Sequence, residues 1–546
     1  MKSVPTLALA LLLAPLSAQE SSFDQALEEY REERRREALY LRTEGRRQLA
    51  ATADERALAP LLQDYAKPER PAEFVRSTLV AMLRTSFAGP GWAPHWRGWR
   101  EEHDEPADAW LWYSALQIEL QAEPASWRAA ALGRAEAPLR AAAVHAGAGL
   151  LGTEPPEGEH LAVLAEVLDD LPSRGRDRDV LLESVLATFA GAPAGALGPE
   201  HVAVLSTVVE AMDERGTSDR SRIVLARLFA EVLGCANVGP DPDAWRELLA
   251  RPPAEWQRPL SGALRSGLDH TFFGIHGHGR RLCYLIDASD SMLVPLTARE
   301  KAQLHPLSGA GARPEGPAVD GDSARAELAI DWERVHTRFD GARELLKLAL
   351  RQLHPEQEFA VVLFGTSAET LDATPKLAPV RSRLVRRACD ELDAIVPGPP
   401  AERRPHGTLR GETNLHGAFR LAYELTTKGR LKGEAHVEDK AFGRGCDTIL
   451  LLSDGAPNWD DFDASDVNES GVVGDPEAGV TLEERYEIAH WYGPFALQGY
   501  LLPDLERYAL LRRPAIHAVG LGEADYFLLE RIAALGGGKL LRIGQE

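Results

Sequence analysis

The sequence predicts an α/β protein. A C-terminal doubly wound, mostly parallel sheet of the Rossmann-like kind is expected over residues 266–546, with an all-helical stretch over 19–265 before it. Three observations carry this. From about residue 265, apolar runs (RRLCYLIDAS, EFAVVLFG, CDTILLLSDG, AIHAVGLG, KLLRI) alternate with amphipathic helical patterns. Those runs are nearly continuous rather than alternating, as strands covered on both faces require. Residues 22–262 instead repeat apolar side chains at i, i+3, i+4 and i+7 with little β-branched alternation.

Taken in chain order, the first element is a secretory signal over 1–18. Lys2 precedes an apolar stretch from Val4 to Leu16 and the small residues Ser17 and Ala18. It is too short to span a bilayer, and no later run reaches the length of a span, so an exported, soluble protein, periplasmic or extracellular, is expected. No cysteine stands near the cleavage point to carry a lipid. The charged segment EEYREERRREALYLRTEGRRQLA reads as a solvated helix with i,i+4 pairs.

The helical stretch follows, with segments such as HLAVLAEVLDDLP, DVLLESVLATFAG and SRIVLARLFAEVLG punctuated by Gly, Pro and Asp. Helices of this length on short turns suit an α-solenoid or an irregular bundle, and they resemble HEAT-like repeats without a fixed period. In the C-terminal part, the helical patterns FDGARELLKLALRQL (Phe339, Ala342, Leu346, Ala349, Leu353), SRLVRRACDELDAI, LHGAFRLAYELTT and YFLLERIAALGG separate the strands. Two stretches, about 294–330 and 457–480, break the rhythm and read as surface insertions.

Composition narrows the function. A chain of 546 residues exceeds what one core supports, and 44% apolar with 26% charged residues is ordinary for a globular protein. The formal charge of -22 repels phosphate backbones and anionic headgroups, so nucleic acid is not an expected partner, and the lack of a span-length apolar run after the signal makes membrane insertion unexpected. Cys235, Cys283, Cys389 and Cys446 match no zinc spacing. If Asp287 and Asp454 end neighbouring strands, Cys283 and Cys446 lie about four residues apart along the sheet and read as buried small apolar residues.

Ligands of an open parallel sheet gather beyond the carboxyl ends of its strands. There the first strand ends at Asp287 with Ser289 and Ser291 following, a later strand ends at Asp454, and the turn between them places Thr413 before a helix. Five oxygen donors without sulfur or imidazole select a hard cation: Mg²⁺ first, with Mn²⁺ and Ca²⁺ also admitted. Direct contact is expected from the hydroxyls, with the aspartates acting partly through bound water. Helix capping would explain any one of the three hydroxyls, though not two apolar strands that both end in Asp.

DASDSM, ETNLHGAF and LLSDG, in this order, resemble the metal-ion-dependent adhesion site (MIDAS) of the von Willebrand factor type A (VWA) domain, over about 270–546. The resemblance implies strands ordered 3-2-1-4-5-6 with a short antiparallel edge strand. It implies a divalent cation held by Asp287, Ser289, Ser291, Thr413 and Asp454, completed by an acidic side chain of a protein partner. Asp290 departs from the pattern, which often has Gly there, and the first helix is delayed to about residue 331.

Other signals are weaker. FGIHGHGRR, with His276 and His278, reads as a loop, and Asp460, Asp461, Asp463 and Asp466 as a solvated acidic loop that fails the EF-hand pattern. No Walker-type phosphate loop occurs. The expected function is metal-dependent adhesion or scaffolding, not catalysis. The alternative is a phosphatase-like metal-dependent hydrolase using the same strand-end cluster, against which stand Ser289 in place of a second Asp and the want of a G-x-S-x-G elbow.

Overall fold

The computed structural model describes residues 23–35, 39–258, 268–308, 330–395, 412–462 and 493–545. The signal segment 1–18, Asp463, Asp466 and most of both expected insertions lie outside the described residues. The chain forms two compact units, Met1–Ala88 with Phe462–Asp504, and Gly89–Asp461 with Leu505–Glu546.

In the first unit the charged N-terminal segment forms the helices Phe23–Glu33 and Leu39–Ala51. It is not simply solvated. Arg46, 1% exposed, donates from Nε to Asp64 Oδ2 at 2.9 Å, and Tyr30 Oη donates to the same oxygen at 3.0 Å. Burying that guanidinium is tolerable only because carboxylates meet it.

The larger unit begins with helices that stack in two rows. Ala109–Ala122, Ala137–Leu151, Arg176–Ala187 and Asp219–Leu233 each pack on the next, and Ser126–Leu132, Gly158–Asp169, Pro199–Asp213 and Pro242–Leu249 do the same. Two-row stacking of alternate helices is repeat-like. The unequal connections explain why no fixed period shows in the sequence. The helix Ala137–Leu151 is covered on all sides over most of its length, every residue from Ala137 to Gly147 being buried, Arg140 and His145 included.

The strands are β1 (Asp269–Phe272), β2 (Ile275–His278), β3 (Arg281–Asp287), β4 (Glu358–Phe364), β5 (Ala368–Thr370), β6 (Ala378–Pro379), β7 (Leu425–Thr426), β8 (Gly429–Arg430), β9 (Thr448–Ser453), β10 (Ala515–Leu521) and β11 (Leu540–Ile543). The main sheet runs β11-β10-β9-β3-β4-β5, with β6 also pairing to β4. All pairs from β11 to β4 are parallel, and β5 is a short antiparallel edge. Every residue of β3, β9 and β10 is buried, which is why those runs read as unbroken apolar stretches.

On one sheet face, Leu282, Tyr284, Ile286, Leu450, Leu452 and Val519 share a core with Phe339, Leu346 and Leu392 of the helices Arg338–Gln352 and Ser382–Ala394. The helix Leu415–Glu424 packs on β3, β4 and β5, and Tyr526–Leu535 on β10. The first helix after β3 is not delayed to 331: the short helix Ala298–Leu304 comes first, and the long one starts at Arg338, where Thr337 caps it and Asp340 completes the capping box. FGIHGHGRR is no loop: β1 and β2 form a hairpin there, with His276 and His278 bonded to their cross-strand neighbours Thr271 and Asp269. Cys283 and Cys446 are buried and free, and the register pairs Cys283 with Ile449, so the offset is three residues.

The helical rows meet this α/β part on segments that lead into strands. Arg280, before β3, pairs with Asp219 at 2.8 Å, and Arg227 donates to the carbonyls of Arg513, before β10, and Gly536, before β11. Asp447, before β9, accepts from the backbone N–H groups of Arg280 and Arg281, tying two strand entries together. These contacts fall at the amino ends of the strands, opposite the ends where Asp287 and Asp454 lie.

Candidate functional site at the carboxyl ends of the central strands

From β3 the chain proceeds outward to β4 and β5 on one side, and from β9 to β10 and β11 on the other. The order therefore reverses between β3 and β9, and the crevice outside their carboxyl ends is the natural ligand position of such a sheet. The register sets Ile286 beside Leu452, so Asp287 and Ser453 end their strands together and Asp454 follows one residue on.

The side chains there bond to one another across long stretches of chain. Ser291 Oγ donates to Asp454 Oδ1 at 2.6 Å, and the Ser289 and Ser291 hydroxyls are 3.0 Å apart. Asp287 Oδ1 accepts from the Ser289 backbone N–H at 2.9 Å, and its Oδ2 from Ser453 Oγ at 2.5 Å. Thr413 is brought in by its backbone, which exchanges hydrogen bonds with Asn458 (2.7 Å and 3.2 Å). A methyl group built on Gly455 would lie 3.4 Å from Thr413 Oγ1 and 3.6 Å from Ser291 Oγ, so both hydroxyls border that turn.

Capping does not account for these hydroxyls. The helix Leu415–Glu424 is capped by Asn414, whose Oδ1 accepts from Gly417 N at 2.7 Å, and not by Thr413. Ser289 precedes the 3₁₀ turn Asp290–Leu293 but accepts no capping hydrogen bond through its side chain. The Ser291 hydroxyl is thus turned to the Asp454 carboxylate, with the Ser289 hydroxyl bonded to it, instead of toward backbone N–H groups.

Burial governs the electrostatics. Asp287 is fully buried, and burial first, the neighbouring Asp454 charge second, push its carboxyl up to about 7. Burial also raises Asp454, against hydrogen bonds from Ser291 and Arg338 that favour its charged form. Glu412 is raised by burial and by Asp290, which adds a further acidic pair nearby. Burial and the like charge both disfavour the ionised pair, and a positive charge placed beside it would lower both values.

Three residues beyond the sequence reading belong to the cluster. Ser453 holds Asp287. Arg338 Nη1 donates to Asp454 Oδ2 at 2.9 Å, and Glu300 Oε1 accepts from Arg338 Nε at 3.0 Å. A serine ending an apolar strand beside Asp was a usable signal for the first; Arg338 and Glu300 had none, lying on elements around an insertion. The acidic run also differs from expectation: Asp460 is buried, and Asp461 accepts from Asn414 Nδ2 at 2.6 Å and from Arg420.

The donors present suit a hard divalent ion: two carboxylates and three hydroxyls, all oxygen, around a crevice with excess negative charge. Among the described residues no three His, Cys, Asp or Glu side chains gather as a metal-holding group, so hydroxyls must supply part of any coordination here. The Ser289 and Ser291 hydroxyls bond to each other and that of Ser291 to Asp454, and among the described residues neither is bonded to a histidine. No described helix is long and apolar enough to cross a membrane. Compared with known proteins, the chain matches no protein-family model, and no curated protein is similar to it in sequence.

Proposed function

We propose that the chain is an exported binding protein that captures an acidic side chain of a protein partner through a divalent cation, in the manner of a VWA domain with a MIDAS. Asp287, Ser289, Ser291, Thr413 and Asp454 would hold the ion, most suitably Mg²⁺. The hydroxyls are neutral, which leaves the bound ion electrophilic enough to attract a further carboxylate. The observation that carries this reading is the convergence of Ser291 on Asp454, residues far apart in sequence, at the crevice where the strand order reverses. The strand order supports it too: counted from β3, the sheet reads 3-2-1-4-5-6 with an antiparallel edge, the order the resemblance implies. The repeat-like helices contact the opposite ends of the strands, so the crevice is left to the partner and the helical rows offer a second binding surface.

The test is selection of a random peptide library on immobilised protein, with Mg²⁺ and with chelator. Peptides enriched only with Mg²⁺ should carry an essential Asp or Glu and should be lost on Asp454→Ala. Enrichment indifferent to chelator, or metal-dependent turnover of phosphoester substrates abolished by Ser289→Ala, would overturn the reading.

A further inference from the structure

We infer that Arg338 is a built-in counter-cation of the strand-end site, which weakens its hold on the metal. The inference rests on the metal-site reading above. Arg338 opens the helix Arg338–Gln352, where an arginine would ordinarily reach solvent, yet its side chain is only 9% exposed. Its guanidinium is enclosed by three groups. Nη1 meets Asp454 Oδ2 at 2.9 Å, Nε meets Glu300 Oε1 at 3.0 Å, and Nη2 lies over Gly522, where a methyl group would come within 1.9 Å. Gly522 has a φ of +57°, so both its conformation and the guanidinium exclude a side chain there.

Glu300 is itself fixed. Only 1% exposed, it completes the capping box of the helix Ala298–Leu304, with Oε2 accepting from Thr297 N at 2.7 Å and from Thr297 Oγ1 at 2.8 Å. The start of the insertion therefore holds the arginine in place. Its base is closed by Leu296 N donating to His336 O and Arg338 N to Val294 O.

The consequence falls on Asp454. One of its oxygens takes Ser291 and the other takes Arg338, so its charge is already compensated in part before any ion arrives. A positive charge this close to a divalent ion opposes binding, and at the effective dielectric of a protein the opposition is worth about tenfold or more in affinity. The same compensation leaves the bound ion less satisfied by its own ligands and more receptive to a partner carboxylate. Glu300 moderates the effect by sharing the guanidinium.

The experiment is calorimetric titration of the full chain with MgCl2. Wild type is compared with Arg338→Gln, which keeps donors and removes charge, with Glu300→Gln, and with the double variant in case the lone buried Glu300 prevents folding. Arg338→Gln should bind Mg²⁺ about tenfold or more tightly than wild type, the double variant more tightly by a smaller factor, and Glu300→Gln more weakly. Equal or weaker binding in Arg338→Gln and the double variant, beside saturable binding in wild type, would overturn this inference and leave the site standing. No saturable Mg²⁺ binding in any of the four would overturn both.

Discussion

Asp287→Asn separates the electrostatics of the site from its shape. Asn can accept from Ser289 N through Oδ1 and donate from Nδ2 to Ser453 Oγ, whose own proton can turn to the Gly455 carbonyl 3.4 Å away. The substitution thus removes a charge and leaves no buried group unpaired. The wild-type carboxyl, held at about 7 against an ordinary 3.8, corresponds to at most about 4 kcal/mol of native-state cost once ionised. The sign follows from the direction. A folded-state value raised above the unfolded one gives stability present below about pH 4 and lost as pH rises to about 7. In chelator, wild type should therefore lose stability between pH 4 and 7 relative to the variant, and above pH 7 the variant should be the more stable. With Mg²⁺ at a hundred times its dissociation constant, wild type should regain about 2.7 kcal/mol and the variant almost nothing. Melting temperatures across pH 4 to 9, with chelator and with Mg²⁺, check both halves. A variant less stable than wild type at pH 8 in chelator, or equally responsive to Mg²⁺, would refute the reasoning.

Further expectations follow from neighbouring contacts. Ser291→Ala removes the hydroxyl that joins Ser289 to Asp454, and should cost about 1 kcal/mol of metal-free stability and at least about tenfold in Mg²⁺ affinity, read by urea denaturation and calorimetry. Gly522→Ala should cost about 1 to 3 kcal/mol, because the new methyl group meets Arg338 Nη2 and the backbone is left-handed there. Gly443→Ala, with open space around it, should cost nothing in the same denaturation series. Asp447→Ala should cost about 1 to 3 kcal/mol by orphaning the Arg280 and Arg281 amides, without changing Mg²⁺ affinity, since it lies at the opposite end of the sheet.

How much was legible beforehand follows from the range of the interactions. Strands β3, β4, β9 and β10 announced themselves because burial on both faces forces a nearly unbroken apolar run, which a single sequence displays directly. Asp287 and Asp454 were legible because each directly follows such a run. The β1–β2 hairpin was not, since Gly and His are poor strand formers and the pairing itself supplies the order. The start of the helix at Arg338 had a readable signal in Thr337 and Asp340, a capping box with Asp in the place of Glu. Arg338, Glu300 and the burial of Asp460 depend on chain segments brought together only by the fold, so their local sequence looks like any charged surface. Repeat-like stacking was ambiguous for a related reason: row-on-row packing needs apolar faces but no constant connection length.

The central claim is tested most directly by anomalous diffraction from crystals of the chain grown with Mn²⁺. The account predicts one strong peak beyond the ends of β3 and β9, with the Ser289 and Ser291 oxygens about 2.1 to 2.3 Å from it and Asp287 and Asp454 beside it, directly or through water. A well-ordered crevice without a peak, or a peak only at surface carboxylates elsewhere, would contradict it.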